Sequence, residues 1–431
     1  MTVYHATYCW LGNHVAHDVR INVVDGRFKS IKPNSSGEVD IRLPGLVLPG
    51  LANAHSHAFH RALRGRTHSE RGSFWTWREQ MYRVAATLDP ESYLRLARAA
   101  YAEMAMAGFT AVGEFHYLHH GPDGTPYHDP NAMGHALIEA ARQAGLRITL
   151  LDTLYLRSSV DGKPLDGVQR RFGDGDPGRW AERVAGLRAA PHAHIGAAIH
   201  SVRAVPAHDL GDLRGRAPLH VHLSEQPAEN EQCRAAHGCT PTELLDRHGL
   251  LGPATTEIYA THLTDHDVKA LGRTGTGICM CPTTERDLAD GIGRARELAD
   301  AGSPISLGSD SHAVIDPFEE VRGLEMDERL ASRQRGRFTI AELVGAAANH
   351  ASIGWDDAGE IAAGKRADLV CVRLDSVRTA GSDPKGAVLA ATAADVTDVI
   401  VDGRHVVAGG RHTVINAARQ LAEALPREHA R

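Results

Sequence analysis

The sequence predicts an α/β protein: a TIM-like (β/α)8 barrel carrying a small β-sandwich formed from both termini. Three observations predict it. Apolar strand candidates alternate with helix-like segments over roughly 300 residues from Leu51 onward. Both chain ends are instead strand-rich, and each carries an Asp-Gly turn between apolar runs. Long inserts follow the first two central strands, Arg61 to Thr87 and His116 to Asn131, as expected of active-site loops at the C-terminal face of a barrel. The expected domains are residues 1–45 as the N-terminal part of the sandwich, 46–360 as the barrel, and 361–431 as the C-terminal part of the sandwich with a terminal helix.

Taken in order, Arg20-Ile-Asn-Val-Val24 and Arg27-Phe-Lys-Ser-Ile31 flank the Asp25-Gly26 turn of a hairpin. An apolar run from Leu46 to Leu51, broken by Pro49-Gly50, leads into His55 and His57. Asp89-Pro90-Glu91 opens a helix with a capping carboxylate, a first-turn proline and an acid near the positive end of the dipole. Its apolar face runs through Tyr93, Leu96, Ala97, Tyr101 and Met104 to Gly108, a C-terminal stop. Further strands are expected at Phe109–Phe115, Leu146–Leu156, His194–His200, Pro218–Leu223, Glu257–His262, Gly277–Cys281 and Pro304–Leu307. Helices are expected between them at Met133–Ala144, Pro177–Ala190, Thr240–His248, Asp265–Leu271 and Arg294–Ala301. The far end returns to strands at Ala367–Arg373 and in a second Asp-Gly hairpin, Val396–Gly403 with Arg404–Val407.

Composition narrows the classes of function. The 42% hydrophobic and 23% charged fractions are those of an ordinary globular protein. A formal charge of −6 with no dense basic run argues against nucleic acid as a partner. Met1-Thr-Val-Tyr-His5 has no signal-peptide pattern, and no apolar run reaches the roughly 18–20 residues that cross a bilayer. The six cysteines are dispersed without a C-x-x-C, so cytoplasmic location is expected, with Cys279 and Cys281 as buried strand thiols.

His55 and His57 are two apart, so on a strand both imidazoles face one side. With 27 histidines in the chain, such a pair alone carries little weight. The other strands add to it: the fourth is expected to end at His200, the fifth at His222, the sixth at His262 and the eighth at Asp310. In a barrel these residues share one rim, where neutral imidazoles and a carboxylate can hold zinc or iron.

These same segments resemble the amidohydrolase superfamily. The likeness is carried by His55-x-His57, Leu219-His-Val-His-Leu-Ser-Glu225, Ala260-Thr-His-Leu263, Gly308-Ser-Asp-Ser311 and the Gly364-Lys-Arg-Ala-Asp-Leu-Val370 stretch. No lysine ends the fourth strand to bridge two metals, and Ile199-His200 stands there, which resembles the mononuclear branch. The resemblance implies one divalent ion, zinc or else iron(II), held by His55, His57, His222 and Asp310. It further implies Glu225 as proton shuttle, Asp310 as base toward the activated water, and His262 as hydrogen-bond partner of the nucleophile. Water on a divalent metal ionises near pH 7, and a neighbouring carboxyl can carry the released proton to a leaving nitrogen.

Asn53-Ala-His-Ser-His-Ala-Phe59, Ser73-Phe-Trp-Thr-Trp-Arg-Glu79, Gly113-Glu-Phe-His-Tyr117 and His200-Ser-Val-Arg203 are similar to the formimidoylglutamate deiminases of histidine degradation. That likeness implies a small dianionic amidine substrate, deiminated as activated water attacks its formimidoyl carbon. Its carboxylates would be held by Arg78 and Arg203, with His60, Tyr117 and His200 as further binding residues, in a homodimer. His60 stands where that pattern has a glutamine. His116, His119 and His120, around Tyr117, read as a polar loop, with a second metal patch as the alternative. Two rival functions remain open: an aminohydrolase of a purine, pterin or triazine ring, and a catalytically inactive scaffold of the same fold.

Overall fold

In a computed structural model, which describes residues 1–35, 37–67 and 72–425, the chain begins with four strands, β1 (Thr2–Leu11), β2 (His14–Val24), β3 (Arg27–Lys32) and β4 (Ile41–Pro49). Eight parallel strands follow: β5 (Leu51–Ser56), β6 (Phe109–His116), β7 (Arg147–Leu154), β8 (Ala193–Ile199), β9 (Leu219–Leu223), β10 (Thr255–Tyr259), β11 (Gly277–Met280) and β12 (Ile305–Leu307). Each pairs with its neighbour in sequence order, which is the pairing of a (β/α)8 barrel. The chain returns to the first group through β13 (Leu369–Val372), β14 (Val396–Val401), β15 (Arg404–Ala408) and β16 (Arg411–His412).

Both termini share a single eight-stranded sheet, ordered β16-β15-β14-β13-β4-β1-β2-β3. Its ends curl toward each other. The amide of Phe28 in β3 donates to the Lys365 carbonyl and the Gly364 amide donates back to Phe28, closing a layered core around Tyr4, Val19, Ile21, Phe28, Leu43 and Leu369. The expected hairpins at Asp25-Gly26 and Asp402-Gly403 are both present, with φ of +74° and +73° at the two glycines. The β4 strand bonds to β1 on one side and β13 on the other, up to Pro49, and the barrel starts two residues later.

Barrel strands are buried on both faces, so they read as continuous apolar runs rather than alternating ones; all eight residues of β7 are buried. The helix α1 (Phe74–Thr87) lies in the insert after β5, where the sequence suggested a loop; residues 68–71 of that insert lie outside the described residues. Phe74, Trp77, Arg78, Met81 and Tyr82 recur at intervals of three and four and share one helical face. The helix α2 (Pro90–Ala107) is capped as its sequence dictates: Asp89 accepts the Ser92 amide at 2.7 Å, and Gly108 ends the helix at φ +111°, a conformation that costs a residue without Cβ little. The helix α3 (Ala132–Ala144) follows β6. The expected helix at Pro177–Ala190 is shorter, Pro177–Val184, and the terminal helix spans Ala417–Ala424, with 426–431 outside the described residues. Among the described residues no helix is long and apolar enough to cross a membrane.

The barrel closes between β5 and the segment after β12. Asp310 N donates to His55 O at 3.0 Å and His57 N to Asp310 O at 3.3 Å, while the Asn53 side chain bonds to both the amide (3.0 Å) and the hydroxyl (2.7 Å) of Ser309. The backbones approach so closely that a Cβ at Gly308 would lie 2.8 Å from His55 Cβ and 3.0 Å from His55 N and O. At the opposite end Trp355 and Ile353 plug the barrel: Trp355 Nε1 donates to Thr149 Oγ1 at 3.0 Å, and that hydroxyl donates to the Ile353 carbonyl.

Barrel and terminal sheet meet at a buried ion pair. Arg147 of β7 spans both oxygens of Asp368, just before β13, and reaches Asp402 at 3.1 Å; Asp368 also accepts the Asp402 amide at 2.9 Å. Removing one partner would strand a buried charge, which costs about 3–5 kcal/mol. Arg147→Ala is therefore expected to lower the unfolding free energy by about that amount, read from urea denaturation followed by circular dichroism. A loss under about 1 kcal/mol would show that the seam is held by apolar packing alone.

Candidate metal centre and active site

Four side chains from three parts of the chain converge at the C-terminal rim. His55 and His57 leave the end of β5, His222 lies on β9, and Asp310 follows β12; one ligand atom of each lies within 4.8 Å of the others, all four residues being buried. His55 Nε2 is 3.1 Å from both His222 Nε2 and Asp310 Oδ1, and His57 Nε2 is 3.3 Å from Asp310 Oδ1. The outer nitrogens set the tautomers. His57 Nδ1 donates to the Phe115 carbonyl at 2.8 Å and His222 Nδ1 to the His200 carbonyl at 2.9 Å, so each ring turns the lone pair of Nε2 inward.

Burial, followed by the neighbouring His55 ring, holds His57 down to about 3 and His222 well below the usual imidazole range, so both are neutral at physiological pH. Among the described residues Asp310 Oδ1 accepts no hydrogen bond although it is buried. Three ring nitrogens and one such carboxylate oxygen, crowded round one point, form a donor set that fits zinc or iron(II).

Around these donors lies a second group. Glu225 follows β9 past Ser224, which adopts φ +51°. Burial pushes its carboxyl up to about 8, against the pull of the Arg203 guanidinium, whose NH2 is 4.0 Å from Glu225 Oε2. Arg203 is itself anchored, its Nε donating to Glu229 at 3.2 Å, while the other Glu229 oxygen accepts the Ser224 amide.

His262 lies beside this group, its amide donating to the Ser224 carbonyl at 3.0 Å, next to Glu225. β10 stops at Tyr259 rather than continuing to His262; Tyr259 and Ala260 turn through φ of +72° and +49°, and His262 Nε2 ends 2.8 Å from the Asp290 carbonyl. Tyr259 takes the rim position, and its hydroxyl donates to Asp310 Oδ2 at 2.8 Å. The strand thus ends three residues before the expected bound at His262.

The pocket above the donors encloses about 650 Å³ with its open mouth. It is lined by His57, His222, Asp310, Glu225 and Tyr259 and by every expected binding residue: His60, Arg78, Tyr117, His200 and Arg203. His60 Nε2 is 3.0 Å from Tyr117 Oη, and burial followed by the nearby His57 keeps the His60 ring neutral, so the imidazole in the glutamine position adds no charge. Arg78 stands over the rings of Trp75 and Tyr82, 5.0 and 5.3 Å from their centres. Phe74 and Trp77, aromatic residues open from sequence to a place in the pocket wall, line it from α1; sequence reasoning missed Tyr82 on the same helix, and Tyr155 and Arg157 just past the end of β7.

A second cluster, His116, His119 and Asp152, is also buried and close enough in geometry to hold an ion. There, however, Arg183 donates to both Asp152 oxygens at 2.8 and 2.9 Å and Trp180 Nε1 adds a third bond at 2.9 Å. A guanidinium fork on the only carboxylate opposes a cation. His120 lies outside it, bonded to Asp174 at 3.0 Å. All six cysteines are buried and free, including Cys279 and Cys281.

Comparison with known proteins agrees with this geometry. Residues 46–406 match the model of the Amidohydrolase family. The formimidoylglutamate deiminase of Pseudomonas aeruginosa is 36% identical over 420 residues, 92% of each chain, and the 8-oxoguanine deaminase of the same organism is 30% identical over 88% of this chain and 85% of its own. The crystal structure of an amidohydrolase from Brucella melitensis superposes with a TM-score of 0.90 at 35% identity, covering 98% of this chain and 99% of that one. The chain belongs to the amidohydrolase family, and it is a hydrolase of carbon–nitrogen bonds.

Proposed function

We propose that the protein hydrolyses N-formimidoyl-L-glutamate to N-formyl-L-glutamate and ammonia, with a single divalent ion, zinc, held by His55, His57, His222 and Asp310. One observation carries this reading: a single pocket is lined by three of the four clustered donors, a carboxyl that burial raises to about 8, and two guanidinium groups. The relative named formimidoylglutamate deiminase supports the substrate. When bound, the ion would supply Lewis-acid activation of water near neutral pH.

The chain's own groups do the rest. Glu225 holds the proton that the terminal nitrogen needs in order to leave as ammonia. Asp310, with Oδ2 engaged by Tyr259 and Oδ1 turned to the donor cluster, would accept the proton of the activated water, and Glu225 would deliver one to the leaving nitrogen. Arg203, with Nε tied to Glu229, keeps its NH groups for one substrate carboxylate, and Arg78 offers a second fork from α1. Holding both carboxylates fixes which nitrogen faces Glu225, and so which of two carbon–nitrogen bonds breaks. His60 and Tyr117, bonded to each other, present a neutral donor–acceptor pair on the same wall.

The test is ammonia release by the zinc-loaded protein from N-formimidoyl-L-glutamate, set against 8-oxoguanine and other cyclic amidines. Turnover of a ring with no release from the linear substrate would overturn the reading. Chelation should abolish activity, and about one equivalent of zinc should restore it. Glu225→Gln is expected to lower kcat by about 10²–10⁴-fold with little change in KM, the usual contribution of a positioned acid–base group. Arg78→Met should raise KM by about 10–100-fold, the worth of a charged hydrogen-bond pair; an unchanged KM would place the carboxylate elsewhere.

A further inference from the structure

We infer that Tyr259 is a positioning residue for the metal centre: its hydroxyl pins the carboxylate of Asp310 so that Oδ1 faces the three imidazoles. The inference rests on the four-donor reading above but not on the identity of the substrate.

Three observations converge on Tyr259. Its Oη donates to Asp310 Oδ2 at 2.8 Å, whereas Oδ1 accepts no hydrogen bond among the described residues and lies 3.1 and 3.3 Å from His55 and His57 Nε2. The two oxygens are thus unequal, and the tyrosine is what distinguishes them. Its ring lies nearly parallel to that of His222, at 19° with 5.6 Å between centres, so the same side chain also walls a second donor. Finally, the backbone adopts φ of +72° at Tyr259 and +49° at Ala260, and φ of +38° at Asp310 itself. Left-handed backbone at a bulky residue is strained and persists where the surroundings over-determine it. Here it coincides with the end of β10 and sets the phenol against the carboxylate.

A carboxylate ligand free to rotate about Cβ–Cγ would exchange its oxygens and lose register with the imidazoles. A hydroxyl on the outer oxygen removes that freedom, and partners of this kind typically alter metal affinity or activity 10–100-fold.

The experiment titrates metal-free protein with zinc in the presence of a competing chromophoric chelator, for the wild type, Tyr259→Phe, Asp310→Asn and the double variant. Tyr259→Phe removes one oxygen and keeps the ring against His222. The expected result is a zinc Kd raised about 10–100-fold, a metal-free melting temperature equal to wild type, and, at saturating zinc, a lower kcat with KM within about twofold. In the Asp310→Asn background the same change should move Kd by less than about twofold, because the two residues act as one unit. A Kd for Tyr259→Phe within about twofold of wild type would overturn the inference. So would weakened binding accompanied by a melting temperature many degrees lower, which would make Tyr259 a scaffold residue. Failure of the wild type to bind zinc would instead sink the metal-centre reading.

Discussion

Closure of the barrel between β5 and the turn after β12 is the constraint on which the rest depends. His55 and His57 exchange backbone hydrogen bonds with Asp310 directly, so the seam that shuts the sheet is also the line along which three of the four donors meet. Gly308 permits the approach by lacking a Cβ, and the Asn53 side chain ties the two strands with two bonds to Ser309. Ser56 and Glu114 extend the same network toward β6: Ser56 Oγ donates to Glu114 at 2.6 Å, and Glu114 accepts the Ala58 amide at 2.7 Å as the chain turns into the pocket wall. Fold and site are therefore not separable here, because any loosening of the seam also separates the donors.

One physical effect, burial, prepares several groups for different tasks. It keeps His57 and His222 neutral, as ligands must be, while backbone carbonyls decide which nitrogen carries the proton. It also raises Glu225, whose carboxyl is set for carrying a proton rather than for pairing as an ion. Arg203 pulls the other way, but Glu229 shares that guanidinium and weakens its hold on Glu225. The second histidine cluster shows the contrast. His116 and His119 are just as buried, yet the one carboxylate among them is fully occupied by Arg183 and Trp180.

The pocket roof has a different origin. α1 folds from the insert after β5 and lays Phe74, Trp77, Arg78 and Tyr82 over the donors, while Tyr155, Arg157 and Phe172 come from the region after β7. The deep end of the site is thus built on strands and the upper end on excursions between them. Such a division allows one barrel to host different substrates by changing the excursions alone.

Much of the molecule could be read from the sequence, because the signals are local. Apolar runs of strand length, the Asp89 cap, the Gly108 stop, the Asp-Gly hairpins and the His-x-His pair all act over a few residues; the cap, the stop and the hairpins are found where expected, and the strands with ends shifted by a few residues. The donor set was legible because a barrel of parallel strands delivers strand-end residues to one rim by symmetry. What tertiary structure alone decided were directions. Nothing local shows that β10 stops at Tyr259, where the backbone turns left-handed and the phenol meets Asp310 and His222, residues far away in the chain. Nor could the sequence show that Arg183 neutralises one histidine cluster while another is left open, or that the neighbours of Glu225 let it keep its proton. Periodicity along the chain fixes which residues share a face; the field and hydrogen bonds that each then meets come from segments that only folding brings near.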